Sequence, residues 1–336
     1  MRIAVVASLV TPLLPVQAGG AQAFLVDLAR GLAGRGHEVR VYCAEGSAVP
    51  GVELVPIPVG AGVTQALVMP GGRLAGEVPE LRRAFELLFA ELRRWAPDVV
   101  SQHAFDAEAI ELAEGLPVLH TLHLPPIVPA VVAAARACRA RLATVSEAMR
   151  REWATAGVEA MLLPDGVPDW QPEPGPVAPI ALIAGRFSPE KGFEDGIEAA
   201  LRAGLRPVVL GADYDPDFKL RAGAFEVRPA LARPELSRLM ASIAVTLMPA
   251  KWEEPFGLVA AEAQVAGCPV AAYARGALPE VVRDGGGGFL ARPDDVADLA
   301  RAVRDCLRLD RTAVRAQARP RLLIDRSLDA YEEAFR

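Results

Sequence analysis

The chain has 336 residues, 52% of them hydrophobic, with 36 Lys and Arg against 42 Asp and Glu for a formal net charge of −6. That length suits two domains with buried cores, and the acidic balance argues against nucleic acid as an obligate partner. Four scattered cysteines (Cys43, Cys138, Cys268, Cys306), none in a C-x-x-C spacing, argue against zinc and a disulfide framework and fit a reducing, cytoplasmic setting.

Ile3 to Ala7 is an apolar, β-branched run that predicts a strand buried on both faces. A Pro-rich loop, Thr11 to Ala18, leads to Gly19 and Gly20. Ala21, Leu25, Leu28 and Leu32 then recur at helical spacing up to Gly34 and Gly36, and Glu38 to Tyr42 is a second strand. This βαβ unit places a glycine pair at a helix N-terminus, where bare backbone can approach an anion. There is no G-x-G-x-x-G, so it is not a dinucleotide fingerprint, and Glu45 is discounted as a ribose-binding acid. The same N-terminal residues, Arg2, Ile3 to Val16 and Ala21-Gln22-Ala23, also mimic a secretory signal; the strand reading is preferred because cleavage would remove the loop.

Residues 51–76 are Pro/Gly-rich, and no stretch reads as a membrane span. Pro79 to Trp95 predicts an amphipathic helix with Leu81, Phe85, Leu88 and Leu92 inward. Its basic ends read as a solvated face, with peripheral membrane contact the alternative. Asp98 to Gln102, Leu116 to His120 and Leu142 to Val145 follow as strands, and Ser146 caps a helix. His123 stands just past the second of these strands, and ligands of open α/β sheets sit beyond the C-terminal strand ends. Pro168 to Pro179 is dense in proline and polar residues and reads as the interdomain linker.

Pro179 to Ala184 restarts the pattern. Gly185-Arg186-Phe187-Ser188-Pro189-Glu190-Lys191-Gly192 then precedes a helix, and its two cations suit a diphosphate: Arg grips as a planar fork, Lys as a point charge. Asp213-Tyr214-Asp215-Pro216-Asp217 imitates a metal-binding Asp-x-Asp, but its proline suggests an exposed turn, and no metal is expected. Ile243 to Pro249 is a buried strand that runs into Lys251-Trp252-Glu253-Glu254-Pro255-Phe256-Gly257-Leu258-Val259-Ala260-Ala261-Glu262. Pro255 and Gly257 mark a helix start able to take an anion. Glu254 lies before that helix and Glu262 more than one turn inside it, so two carboxylates flank the bound group and can accept hydrogen bonds from sugar hydroxyls. Helical sequence from Thr312 to Arg336, with a break expected at Pro320, closes the chain.

The Glu-x-Phe-Gly-Leu-x-x-x-Glu arrangement resembles the paired-glutamate motif of family 4 glycosyltransferases, retaining enzymes of the GT-B fold. Gly-Arg-x-x-x-x-Lys-Gly at 185–192 is similar to that family's diphosphate-binding loop, and His120-Thr121-Leu122-His123 to its His-Thr-x-His segment. Asp165 stands where the family usually has Asn, and Ala277 where it has a second Gly. The resemblance implies an α/β, GT-B chain: two Rossmann-like domains facing each other across a cleft. Residues 1–167, with a crossing helix from about 320–336, would form the acceptor-side domain, and residues 168–319 the nucleotide-sugar domain. It implies donor contacts from Gly19, Gly20, Arg186, Lys191, Phe256, Gly257, Leu258 and Glu262. Catalytic roles fall to Glu254, His123, Arg186 and Lys191, with His120 the alternative to His123. The expected reaction is retaining, metal-free transfer of a hexose-type sugar from a nucleoside-diphosphate sugar, UDP by family frequency, to a small-molecule or glycan acceptor. No cofactor is implied, since the nucleotide sugar is a substrate. The composition looks bacterial, which suggests a natural-product acceptor. An epimerase of the same fold and a non-catalytic nucleotide-sugar-binding protein are the rivals.

Overall fold

The computed structural model describes residues 1–16, 19–60, 78–173, 175–212, 215 and 217–336. Strand and helix alternate in two compact units, Met1–Pro164 with Ser327–Arg336, and Asp165–Arg326. In the first are β1 (Arg2–Val6), α1 (Gly20–Gly34), β2 (Glu38–Ala44), β3 (Glu53–Ile57), α2 (Pro79–Trp95), β4 (Val99–Gln102), α3 (Ala107–Glu111), β5 (Val118–Leu122), α4 (Pro129–Ala137), β6 (Arg141–Thr144), α5 (Glu147–Thr155) and β7 (Met161–Leu162). The second holds β8 (Ala178–Ala184), α6 (Phe193–Arg202), β9 (Arg206–Gly211), β10 (Glu226–Pro229), α7 (Arg233–Ala241), β11 (Ile243–Met248), α8 (Leu258–Val265), β12 (Val270–Tyr273), α9 (Leu278–Val282), β13 (Gly288–Ala291), α10 (Val296–Cys306) and α11 (Arg311–Leu322). The last helix, α12 (Ile324–Phe335), begins in the second unit and continues in the first.

The first unit is built on a seven-stranded sheet in the order β3-β2-β1-β4-β5-β6-β7, and the second on a six-stranded sheet, β10-β9-β8-β11-β12-β13. Neighbouring strands pair in parallel in both. Each sheet's order reverses at its oldest strand, β1 or β8, so helices cover both faces. The inner strands are therefore covered on both faces: every residue of β5, β11 and β12 is buried. Helix α2 lays Leu81, Phe85, Leu88 and Leu92 into one core with Val6, Tyr42 and Val100, as its periodicity implies.

Two boundaries differ from the sequence reading for a physical reason. The strand expected from Leu116 begins at Val118, because Pro117 has no N–H to give to the ladder. The C-terminal helical stretch breaks at Leu323, not Pro320. Leu323 N–H reaches the carbonyl of Arg319, so the ladder closes again past the proline before the backbone turns extended. Within the second unit, the stretch after Val167 is held by Arg315 and Arg319 on Asp169 and by a backbone bond from Val167 N–H to the Leu322 carbonyl.

In the first unit, α12 covers α1. Leu328 lies so close to Gly31 that a Cβ there would stand 2.5 Å from its Cδ1. Buried Tyr331 hydrogen bonds Thr121 of β5 at 2.9 Å. Among the described residues no helix is long and apolar enough to cross a membrane.

Candidate functional site

The second unit gathers most of the residues singled out in the sequence at the C-terminal ends of β8 and β11. After β8 the chain passes through Arg186 and a single 3-10 turn, Pro189–Lys191, and enters α6 through Gly192. Gly192 has φ +64°, and a Cβ on it would lie 2.0 Å from the carbonyl oxygen of Pro249. Only glycine lets this loop lie against the end of β11. A backbone bond from Lys251 N–H to the Glu190 carbonyl, 2.8 Å, fixes the two loops together.

This seating brings Lys191 to Glu254, although they lie 63 residues apart. Lys191 Nζ donates to Glu254 Oε2 at 2.8 Å, and the Trp252 indole N–H donates to the same oxygen at 2.7 Å. The Trp252 ring also lies under both cations, 5.2 Å from Lys191 Nζ and 5.6 Å from the Arg186 guanidinium. Arg186 Nε donates to Glu190 Oε1 at 2.9 Å, and the Ser188 hydroxyl to that oxygen at 2.7 Å. Burial pushes the Glu254 carboxyl up. The Lys191 charge and hydrogen bond, the Trp252 N–H and the Arg186 charge outweigh it, so Glu254 sits below its ordinary value.

Three residues beyond Glu254, Gly257 (φ +94°) serves as N-cap of α8. No side chain caps the helix, so the first-turn amides after Gly257 are left for an outside acceptor. A Cβ at Gly257 would meet Leu278 Cδ2 at 2.9 Å. Gly276, φ +54°, closes over the same turn: its N–H reaches Glu253 Oε2 at 2.7 Å, and the Ala277 N–H reaches the Glu254 carbonyl at 2.8 Å. Phe256 is buried beneath the turn, and Leu258 opens the helix half-buried. Glu262, inside α8, takes a 2.6 Å bond from Arg233 Nε at the start of α7.

Arg186, Lys191, Glu254, Phe256, Gly257, Leu258 and Glu262 thus fall on two adjoining loops and the helix α8 of one unit. Sequence reasoning missed the partners Glu190, Trp252 and Arg233. The first two lay inside the quoted motifs; Arg233 lies 29 residues before Glu262 and had no local signal.

The first unit holds His123, Gly19 and Gly20. Gly19 is the N-cap of α1, with no side-chain cap, and Gly20 is its first residue. His123 is buried just past β5, and its Nε2 lies 2.8 Å from His103 Nδ1. Burial pushes His123 down to about 4. His120 faces the other way, since residues an odd number apart on an extended strand point to opposite faces. It shares a face with Gln102 in the adjacent strand, and neither of its ring nitrogens has a hydrogen-bond partner among the described residues. Asp213, Tyr214 and Pro216 lie outside the described residues. Among the described residues no three His, Cys, Asp or Glu side chains are grouped to hold a metal ion.

Two parallel, doubly wound sheets of seven and six strands are the architecture of GT-B glycosyltransferases, and solved structures bear this out. Sucrose-phosphate synthase from Thermosynechococcus elongatus superposes with a TM-score of 0.77 at 18% identity, over 99% of this chain and 98% of that one. Anabaena HepE in complex with UDP-glucose gives 0.77 at 18% identity over 99% of both chains. The model described as "Glycosyltransferase Family 4" matches residues 18–169, and that described as "Glycosyl transferases group 1" matches residues 171–321. The chain belongs to glycosyltransferase family 4. A D-inositol 3-phosphate glycosyltransferase from Mycolicibacterium paratuberculosis is 35% identical over 153 residues, which are 42% of this chain and 34% of that protein. The chain thus spans about a third of the length of the curated relatives it matches.

Proposed function

We propose that the protein is a retaining glycosyltransferase that moves a hexose-type sugar from a nucleoside-diphosphate sugar to a small-molecule or glycan acceptor without metal. One observation carries the reading. The Arg186 and Lys191 cations converge on the Trp252 and Glu254 loop, a few residues from the uncapped start of α8. Cations and helix amides at one place suit a diphosphate whose negative charge grows as its bond to the sugar breaks.

In this reading the diphosphate draws Lys191 and Arg186 from their carboxylates and rests on the amides of Gly257 and Leu258. Glu262 accepts hydrogen bonds from the ribose hydroxyls, and Glu254 orients the transferred sugar. In the first unit the family resemblance assigns His123 to that sugar and the Gly19-Gly20 helix start to the diphosphate. The acceptor oxygen bonds to the anomeric carbon on the face from which the diphosphate leaves. Its proton passes to the departing phosphate oxygen, so no protein nucleophile is required. UDP is favoured as the carrier because the structurally similar HepE was solved with UDP-glucose.

The test is incubation with UDP-glucose and other nucleotide sugars, with and without candidate acceptors, following nucleoside diphosphate release and the fate of the sugar. Transfer or slow hydrolysis supports the reading. An isomerised sugar with no diphosphate release would make the protein an epimerase, and binding with no turnover a sensor.

A further inference from the structure

We propose that Trp252 is a positioning residue whose indole N–H is the permanent anchor of Glu254: it holds Oε2 when a diphosphate draws Lys191 away and leaves Oε1 to the transferred sugar. The parts of the diphosphate and the sugar rest on the function proposed above; the anchor does not.

Both donors to the Glu254 carboxylate end on one oxygen. Lys191 Nζ reaches Oε2 at 2.8 Å and Trp252 Nε1 reaches it at 2.7 Å. Among the described residues no hydrogen bond goes to Oε1. The carboxylate is thus held by one oxygen and presents the other. The two donors differ in kind. Lys191 is a cation on the facing loop, 63 residues away along the chain, and a phosphate anion competes for it directly. The indole N–H is a neutral donor that accepts nothing. It lies two residues from Glu254 on the same loop, so its bond does not depend on how the two loops sit.

Glu254 needs that second donor. Its side chain is 11% exposed, and burial alone would push the carboxyl up. The groups that offset burial are Lys191, by charge and hydrogen bond, the Trp252 N–H, and the charge of Arg186. Lys191 and Arg186 are the cations assigned to the diphosphate, so once they turn to it the indole N–H is what keeps Glu254 ionised and in place. The other charged groups of the surrounding loops are engaged elsewhere. Glu190 takes Arg186, Glu253 accepts the Gly276 N–H, Lys251 pairs with Asp195, and Arg275 with Asp294. The Trp252 ring lies under both cations, so phenylalanine at 252 keeps an aromatic wall there and removes only the N–H.

The experiment joins a 1H–15N correlation spectrum of the indole groups of the full chain, at pH 8, to the kinetics of donor hydrolysis. The sequence has four tryptophans. Trp252→Phe removes one indole peak and Glu254→Ala moves that same peak upfield, so either variant identifies it. The peak should stay downfield and protected from solvent exchange in Lys191→Ala, and in the wild type saturated with UDP. Trp252→Phe should lower kcat for UDP-glucose hydrolysis about tenfold and leave KM within about threefold. Its kcat profile, which reports the complex, should have an acid limb about one pH unit higher than that of the wild type. The melting curve shows that the variant folds. A peak that moves upfield or loses protection, in Lys191→Ala or with UDP bound, overturns the anchor whether or not Trp252→Phe folds. An acid limb that does not move in Trp252→Phe also overturns it. Failure of UDP to bind counts against the function proposed above, and the Lys191→Ala spectrum then decides the anchor by itself.

Discussion

Replacing Lys191 by alanine separates the two jobs assigned to it. Lys191 contributes the largest share of what offsets burial on Glu254, at 2.8 Å, with side-chain exposures of 17% and 11%. Removing one partner of a buried pair costs about 3–5 kcal/mol, since the other charge stays buried and uncompensated. Lys191 is partly open to water and Trp252 still donates to Glu254, so the lower end, about 3 kcal/mol, is expected at pH 7. For a unit of this size that lowers its melting transition by about 6–12 °C. The pH dependence gives the sign. In the wild type the depressed carboxyl contributes stability above its unfolded value, lost as pH falls through the folded one. In Lys191→Ala burial dominates and Glu254 is raised instead. The cost is then small at low pH and grows as pH rises past the unfolded carboxylate value. Melting of wild type, Lys191→Ala and Lys191→Ala/Glu254→Gln from pH 4 to 8 reads this directly, and the double variant should recover most of the loss. Turnover should fall by about 10²–10³ in both, because the diphosphate loses a cation in either. A stability difference that is flat with pH, or turnover restored in the double variant, would refute the reasoning.

Gly192→Ala should cost about 2–5 kcal/mol, from a left-handed φ and a Cβ 2.0 Å from the Pro249 carbonyl, read as the urea midpoint; a change under 1 kcal/mol would mean that the two loops are not seated together. Glu262→Gln keeps a hydrogen-bonding side chain but loses its charge, and UDP should bind roughly tenfold more weakly by calorimetry. Unchanged affinity would remove Glu262 from the nucleotide site. His120, held at about 4 by burial, stays neutral while the unfolded chain takes a proton, so stability drains as pH falls from about 6.5 to 4, by up to about 3 kcal/mol. His120→Leu should flatten that acid loss and leave the urea midpoint at pH 7 equal or higher, because it replaces two unpartnered ring nitrogens by carbon. An unaltered acid profile would show that His120 is not buried in solution.

Much of the architecture was legible in the residues. Apolar runs such as Ile3 to Ala7 and Ile243 to Pro249 announce strands buried on both faces, and the 3.6-residue period over Pro79 to Trp95 gives α2 to the residue. These signals are local: a face must be apolar wherever it is covered, whatever covers it. The motif loops were legible for the same reason, since Gly192 and Gly257 answer backbone demands that only glycine meets.

What the sequence could not supply is which charges meet. Lys191 and Glu254 are 63 residues apart and meet because β8 and β11 end side by side; Arg233 and Glu262 are 29 apart and meet because helices α7 and α8 pack together. The sequence offered Arg186 and Lys191 as open cations; the fold gives each a carboxylate partner and one indole between them. It preferred His123 with His120 as the alternative, and strand alternation separated them, leaving His120 without a hydrogen-bond partner among the described residues and His123 against His103. Local propensity sets the elements, but the pairing of charges and the facing of rings depend on distances through space, which only the assembled sheets fix.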